Sequence, residues 1–144
     1  MFNNSTILVT GGTGSFGSKF IDMTLKNYKV KKIIVFSRDE MKQWNMQLKL
    51  KNNKIHYVIG DIRDYSSIEK ACNSVDFIVH AAATKIVPTA EYNPTECVKT
   101  NINGAINLIE AAKKNNVKRV IALSTDKACN PVNLYGATKF TSDK

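Results

Sequence analysis

Short apolar runs alternate along this chain with longer segments in which apolar residues recur at helical spacing. The short runs are rich in β-branched residues and apolar at consecutive positions, which is typical of strands covered by helices on both faces. The pattern predicts strands at Thr6–Thr10, Lys32–Phe36, Ile55–Ile59, Val75–His80 and Arg119–Ser124. Because strands that alternate with helices form βαβ units, we predict an α/β fold with a doubly wound, Rossmann-type parallel sheet of five strands in the order 3-2-1-4-5.

The helical segments lie between and after these strands, at 14–27, 39–50, 66–72, 93–115 and from 134 onwards. The third begins with Ser66 and Glu69 at the spacing of a capping box. In the fourth, Asn93 is a preferred cap residue and Pro94 suits the first helical position. The side chains expected to be buried are Met41, Trp44, Met46 and Leu48 in the second helix, and Val98, Ile102, Ala105, Ile106, Ile109 and Ala112 in the fourth.

Composition narrows the class of protein. At 144 residues the chain is about one domain, and 43% apolar residues is ordinary for a globular protein. No apolar run approaches the roughly 20 residues of a transmembrane helix, and the N-terminus shows no signal-peptide pattern. Cys72, Cys97 and Cys129 form neither a metal-ligand spacing nor a disulfide framework, so we expect a reducing cytoplasm and no bound metal.

The net charge of +9 is compatible with binding to nucleic acid. The lysines, however, are spread over every predicted helix and loop, without a basic stripe or interleaved aromatic residues. A solvated lysine-rich surface, part of which faces a phosphorylated ligand, is therefore favoured. We therefore expect no nucleic-acid partner, and a basic nucleic-acid binder is kept only as the weakest of three hypotheses about the class of function.

A glycine-rich turn follows the first strand and opens the first helix. Its residues are Gly11, Gly12, Thr13, Gly14, Ser15, Phe16 and Gly17. Glycines permit a tight turn and a close approach of backbone, and the helix N-terminus offers unpaired N–H groups and a positive dipole to a pyrophosphate. Because the turn lies within a βαβ unit, it predicts a dinucleotide site. The alternative is a strand-to-helix turn that binds no ligand.

The end of the second strand carries cationic residues where a carboxylate would indicate NAD. Arg38 can pair with a ribose 2′-phosphate, Ser37 can donate to it, and Lys42 adds positive charge. This pattern favours NADP over NAD. Ser37 or Asp39 can equally serve as the cap of the second helix, and the two interpretations are compatible.

Two further segments follow strands and can contact the same cofactor. After the third strand, Asp61 can accept a hydrogen bond from the adenine amino group, and Ile62 adjoins it. After the fourth strand, Ala81, Ala82 and Ala83 are small enough to let the backbone approach the dinucleotide closely.

Together these motifs resemble a known superfamily. The glycine turn, the three alanines, and Tyr135 and Lys139 in a Tyr-x-x-x-Lys pattern are similar to the extended short-chain dehydrogenases/reductases. The chain most closely resembles the inverting UDP-N-acetylglucosamine 4,6-dehydratases of the pseudaminic acid route, over essentially all of its residues. The segments that carry this resemblance are Ser37-Arg38-Asp39-Glu40, Ala83-Thr84-Lys85, Glu91-x-Asn93-Pro94, Thr100-Asn101 and, most specifically, Ser124-Thr125-Asp126-Lys127-Ala128.

The resemblance implies a catalytic set. Tyr135 and Lys139, four residues apart on one helix face, would contact the cofactor and oxidise C4 of a UDP-sugar, with help from Thr125. Asp126 and Lys127 would act as acid and base in the elimination of water across C5 and C6. Lys85 would lie near the substrate. The alternatives are that Asp126 only caps a loop and that Lys85 and Lys127 are solvated surface lysines.

Two polar residues have several interpretations. Asn101 lies inside a predicted helix, where a proton relay, a bend in the helix and an ordinary polar-face position are all open. His80 is expected to pack at the end of the fourth strand rather than to catalyse.

The resemblance also implies a cytoplasmic enzyme that forms a homo-oligomer, has no membrane partner and carries a C-terminal substrate domain. We interpret residues 1–144 as an incomplete NADP-binding Rossmann domain without that substrate domain. We expect its fifth strand to lack an outer neighbour and to expose backbone and apolar surface, and we expect these residues alone to be inactive. A cofactor-binding module without turnover, and another nucleotide-sugar epimerase or dehydratase, remain the alternatives to a UDP-N-acetylglucosamine dehydratase.

Overall fold

One parallel sheet organises the computed structural model, which describes residues 2–144. Within these residues it has five strands in the order β3-β2-β1-β4-β5, so the predicted α/β class and strand order are confirmed. The strands are β1 (Thr6–Thr10), β2 (Lys32–Ser37), β3 (Ile55–Ile59), β4 (Phe77–His80) and β5 (Arg119–Ala122). β4 begins later and β5 ends earlier than the apolar runs predict.

Helices connect the strands on both faces of the sheet. They are α1 (Ser15–Asn27), α2 (Glu40–Leu50), α3 (Tyr65–Ala71), α4 (Val87–Tyr92), α5 (Pro94–Val98), α6 (Gly104–Lys114) and α7 (Leu134–Asp143). A π-helical turn, Lys99–Asn103, joins α5 to α6, and a 3₁₀ turn, Asp126–Ala128, precedes α7. Within residues 2–144, none of the helices has the length and apolar character needed to cross a bilayer.

The core has two layers because successive residues of each strand point to opposite faces of the sheet. Leu8 of β1 and Ile34 of β2 pack toward α3 and α6, where Leu108 lies in the same cluster. Val9 and Val35, one residue further along each strand, pack with the buried residues of α1 and α2. The parallel register pairs Leu8 with Ile34 and Val9 with Val35.

The buried side of α2 differs from the prediction. Met46 is buried, but Met41, Trp44 and Leu48 are 65%, 54% and 51% exposed. Gln43 takes the inward position instead, because its amide donates to the carbonyl oxygens of Ser37 and Val58 at the ends of β2 and β3. A polar side chain can be buried there because its amide forms hydrogen bonds with carbonyl groups of two neighbouring strands.

The caps of α3 and α5 also differ from the prediction. Asp64, not Ser66, caps α3 by accepting from the N–H groups of Ser66 and Ser67. Asn93 makes no side-chain cap, because its amide donates backward to the carbonyl of Thr89 in α4.

The predicted helix at 93–115 is divided into α5, the π-helical turn and α6. Ala105 and Ala112 are buried as expected, but Ile106 and Ile109 are about half exposed. Leu108 takes the inward position. An inserted π turn rotates the helix faces that follow it, which a 3.6-residue period cannot anticipate.

Candidate functional site

A cleft of about 720 Å³ lies at the carboxyl ends of the strands. This edge is where open α/β sheets bind ligands. Most of the predicted cofactor residues line the cleft, namely Gly11, Thr13, Gly14, Ser15, Phe16, Gly17, Ser37, Arg38, Lys42, Ile62, Ala81, Ala82, Ala83, Tyr135 and Lys139, together with Lys85. Lining residues that the sequence interpretation missed are Phe36, Asp39, Gly60, His80, Thr100, Leu123 and Ser124.

Gly11 makes the turn after β1 possible. Its φ is +65°, and a Cβ atom there would lie 2.7 Å from the backbone nitrogen of Ala82. Side chains are strained at such a φ, and a contact that short with backbone cannot be relieved by a rotamer change. Only glycine therefore allows the turn to lie against the segment that follows β4.

The first turn of α1 fits an anionic ligand. Gly14 is its cap residue and, within residues 2–144, no side chain accepts a hydrogen bond from the first-turn N–H groups. Ser15, Phe16 and Gly17 contribute this turn to the cleft wall. Unpaired N–H groups at the positive end of a helix dipole are suited to bind a pyrophosphate.

The cations at the end of β2 stand beside carboxylates. Asp39 caps α2 by accepting from the Lys42 N–H at 2.9 Å, and its other oxygen lies 3.2 Å from Lys42 Nζ. Arg38 Nη1 lies 3.8 Å from Asp61 Oδ2, and the Arg38 side chain is more than half exposed. Asp39 is thus the cap, while Arg38 and Lys42 still present positive charge to the cleft.

Asp61 does not line the cleft, although Ile62 beside it does. Arg63 donates to Asp61 Oδ2 from Nε at 2.8 Å and from Nη2 at 2.6 Å. Burial opposes ionisation of this carboxyl, but the hydrogen bonds and charge of Arg63 outweigh it, so the pKa of Asp61 lies below its ordinary value. Arg63 also pairs with Glu96 of α5. Contact between Asp61 and an adenine stays a prediction.

Tyr135 and Lys139 lie one turn apart on α7, and both face the cleft. Asn133 caps this helix by accepting from the Gly136 N–H at 2.8 Å. A Cβ atom on Gly136 would lie 2.4 Å from the Lys127 carbonyl oxygen, so glycine lets α7 pack directly on the preceding 3₁₀ turn. Lys139 is buried, and this burial lowers the pKa of its amine although Asp143 opposes the shift.

Thr125, Asp126 and Lys127 form a tight group that does not line the cleft. The Thr125 hydroxyl donates to Asp126 Oδ1 at 2.9 Å and accepts from the Lys127 N–H, so Thr125 rather than Asp126 is the cap of the 3₁₀ turn. Lys127 Nζ lies 3.4 Å from Asp126 Oδ1. The hydrogen bond from Thr125 and the neighbouring ammonium of Lys127 lower the pKa of Asp126. The acid and the amine are therefore adjacent, two and three residues after Ser124 in the cleft wall.

His80 packs at the end of β4, as expected, and also reaches the cleft. Its Nδ1 shares a 2.7 Å hydrogen bond with the buried Thr10 hydroxyl. Burial and the nearby positive charge of Lys139 lower the pKa of His80 to about 4. The imidazole is thus neutral at pH 7.

The sequence of residues 7–144 matches the polysaccharide biosynthesis protein family. The chain belongs to this family. It is 60% identical over 144 residues to the inverting UDP-N-acetylglucosamine 4,6-dehydratase of Campylobacter jejuni subsp. jejuni serotype O:23/36 (strain 81-176). That identity confirms the resemblance drawn from the motifs.

Other members and structural neighbours carry related names. The UDP-glucose 4-epimerase of Rickettsia bellii (strain OSU 85-389) is 50% identical over 147 residues. The structure of DesIV, a dTDP-glucose 4,6-dehydratase from Streptomyces venezuelae with NAD and TYD bound, superposes with a TM-score of 0.89 at 28% identity, over 96% of this chain and 49% of that one. Each alignment with the two curated relatives covers 100% of this chain but 43% of the relative, so the chain spans less than half the length of these family members.

Proposed function

We propose that the intact protein, meaning the whole translated product of the gene that encodes this chain, is an inverting UDP-N-acetylglucosamine 4,6-dehydratase. The observation that carries the proposal is the arrangement around one cleft. The glycine turn forms one side, Tyr135 and Lys139 form the other, and Asp126 and Lys127 lie two and three residues after the wall residue Ser124. The 60% identity to the Campylobacter dehydratase supports the same assignment.

The cofactor proposed for the cleft is NADP. The first turn of α1 would hold the pyrophosphate, and Arg38, with Ser37 and Lys42, would meet the 2′-phosphate. The NAD in DesIV supports a nicotinamide dinucleotide in general. The positive charge of Arg38 and Lys42 in the cleft wall supports NADP rather than NAD.

The first chemical step would use Tyr135 and Lys139. The bound nicotinamide would supply a reversible hydride acceptor for C4 of the sugar. Tyr135 would take the proton of the 4-hydroxyl as C4 is oxidised, and the ammonium of Lys139 would stabilise the phenolate, because an opposite charge nearby favours the ionised form. Thr125 would add a hydroxyl beside the reacting oxygen.

The second step would use Asp126 and Lys127. The 4-ketone acidifies the proton on C5, so one group can remove it while the other protonates the departing 6-hydroxyl as water. The reduced nicotinamide would supply the hydride that C6 takes up, and Lys127 or Asp126 would return a proton to C5, where redelivery by a lysine suits inversion. Acid–base assistance of this kind contributes about 10²–10⁴-fold per group.

The sugar nucleotide would be held only in part by this chain. Lys85 is exposed at the cleft and is the substrate contact we propose. Because the related enzymes are more than twice as long, we propose that residues 1–144 form the dinucleotide-binding part, that a separate substrate domain grips the uridine, and that 1–144 alone bind the cofactor without turnover. We further propose a cytoplasmic homo-oligomer.

The product of the reaction tests this proposal. The intact protein is incubated with UDP-N-acetylglucosamine and NADP in D₂O, and the product is analysed by NMR and mass spectrometry. A 4-keto-6-deoxy sugar with deuterium and inverted configuration at C5 is expected. A product that retains the 6-hydroxyl would refute dehydration.

The second candidate function is nucleotide-sugar 4-epimerisation. The 50% identity to a Rickettsia epimerase favours it, and Tyr135 with Lys139 would suffice for C4 oxidation and reduction. An epimerase has no use for Asp126 and Lys127 as an acid–base pair. The same NMR experiment separates the two functions, because an epimerase would yield a 4-epimer without loss of water.

A further inference from the structure

A buried polar group lies beneath the helix that carries Tyr135. Thr138 and Asn101 are 1% and 2% exposed, and Cys97 is fully buried beside them. The Thr138 hydroxyl donates to the Tyr135 carbonyl oxygen at 2.8 Å and accepts from Asn101 Nδ2 at 3.0 Å. Its oxygen also lies 3.6 Å from Cys97 Sγ. The hydroxyl therefore connects the first turn of α7 with the π-helical turn.

The same asparagine holds a third segment. Asn101 Oδ1 accepts from the Thr84 N–H at 2.8 Å, and Nδ2 donates to the Thr84 carbonyl at 2.9 Å. Thr84 stands between Ala83 and Lys85, both of which line the cleft. Because Asn101 is buried and bonded on both atoms, it is not an ordinary polar-face residue, and its amide links the loop after β4 to α7.

These contacts leave little freedom. An amide nitrogen has two hydrogens, and the nearest acceptors of Asn101 Nδ2 are the Thr84 carbonyl at 2.9 Å and the Thr138 hydroxyl at 3.0 Å, with Cys97 Sγ further away at 3.5 Å. The hydroxyl in turn uses its single hydrogen on Tyr135. Removal of the hydroxyl would leave the second Asn101 hydrogen only the Cys97 sulfur, a weak acceptor, so the helix or the amide would shift to find a better partner.

We propose that Thr138 is a positioning residue, which fixes Tyr135 relative to the Ala83–Lys85 loop through its hydrogen bonds to Tyr135 and Asn101. The inference rests on the proposed function, since it concerns the placement of the proposed proton acceptor. A displacement of about 1 Å at a reacting group can cost about 100-fold in rate. Loss of this hydroxyl is therefore expected to lower turnover while the dinucleotide cradle on the other side of the cleft remains intact.

The experiment compares two threonines of α7 in the intact protein. Thr138→Val removes the buried hydroxyl, and Thr138→Ser keeps it. Thr141→Val is the matched control, because Thr141 also donates to a carbonyl of its own helix, that of Ala137 at 2.9 Å, but is exposed. Measured quantities are kcat, KM for the sugar nucleotide, dinucleotide Kd and the pH dependence of kcat.

The expected result is a loss in kcat of about tenfold or more for Thr138→Val, with dinucleotide Kd within about twofold, and near-normal kcat for Thr138→Ser and Thr141→Val. The pH dependence of kcat should also change for Thr138→Val and stay as in the unmodified protein for Thr138→Ser and Thr141→Val, because only the first variant displaces the proposed proton acceptor. If Thr138→Val does not fold, Thr138→Ala, which leaves space for a water, is measured in its place.

Two results would overturn the proposal. One is an unchanged kcat and pH profile in the variant without the hydroxyl. The other is equal impairment of Thr138→Ser, since that would assign the effect to packing of the methyl group. Failure of the proposed function is seen separately, in the product made by the unmodified protein. Even if that product were an epimer, the comparison of Thr138 with Thr141 would be made on that reaction.

Discussion

Replacement of Arg38 by methionine is expected to weaken binding of NADP selectively. Arg38 lines the cleft at the end of β2, and within residues 2–144 its guanidinium pairs with one carboxylate, with Nη1 3.8 Å from Asp61 Oδ2. Methionine keeps much of the length of the side chain and removes the charge. The residue can therefore be tested as a phosphate ligand without a large change in packing.

The magnitude follows from what Arg38 gains and loses when a 2′-phosphate binds. An exposed ion pair of this length is worth about 0–1 kcal/mol, and Asp61 keeps its shorter hydrogen bonds to Arg63. A hydrogen bond to a charged group contributes about 1.5–3 kcal/mol. The loss of Arg38 should thus raise the Kd of NADP by about 10- to 140-fold, at about 1.4 kcal/mol for each tenfold.

Calorimetric titration of the intact protein with NADP and NAD measures both affinities. The Kd of NAD should change by less than about threefold, because NAD has no 2′-phosphate. Arg119→Met is the matched control, since Arg119 is exposed at the start of β5, at the opposite edge of the sheet, and loses the same charge. An equal loss for both dinucleotides, or an NADP affinity equal to that of Arg119→Met, would contradict the reasoning.

Three further changes test other parts of the site. Lys127→Ala should abolish formation of the 4-keto-6-deoxy product in the intact protein while exchange of deuterium between the cofactor and C4 persists; unchanged dehydration would remove Lys127 from the chemistry. Gly11→Ala should destabilise the fold by at least about 1–2 kcal/mol in urea unfolding, because its Cβ would meet backbone at φ +65°, whereas Gly14→Ala, with a nearest contact of 3.2 Å, should cost less. His80 is neutral when folded and has a pKa of about 4, below its unfolded value, so stability should fall by up to about 3 kcal/mol as the pH drops from about 6.5 to 4. His80→Asn should flatten that dependence in the same urea assay, and an equally steep dependence would exclude His80 as its source.

Features that depend on neighbours in sequence are predictable for this chain. The strands, the glycine turn and the Tyr135–Lys139 spacing are local patterns. Parallel strands present their carboxyl ends at one edge of the sheet, so the residues that follow each strand are expected to lie close together there. That rule, applied to β5, would also have found Leu123 and Ser124, because they are the two residues that follow its carboxyl end.

Features that depend on side-chain hydrogen bonds are not predictable from these local patterns. Trp44 has the apolar character of a core residue, yet Gln43 is buried because the strands on either side of α2 in sequence, β2 and β3, offer it two carbonyl oxygens. Asp61 has the position of an adenine ligand, and that position does not reveal that its carboxylate also accepts hydrogen bonds from Arg63. In both cases the side-chain hydrogen bonds decide the surroundings of the residue, and hydropathy or position alone does not indicate them.

The π-helical turn affects both the local sequence pattern and the contacts between separate segments. Its insertion disrupts the apolar period of the predicted helix at 93–115, and the same insertion places Asn101 where it reaches both Thr84 and Thr138. π turns are rare, and those inserted in α-helices are frequently found at functional sites. The residues at which the apolar period breaks are therefore the residues whose hydrogen bonds connect the loop after β4 to α7. The break in the period thus points to a structural role for the buried amide of Asn101.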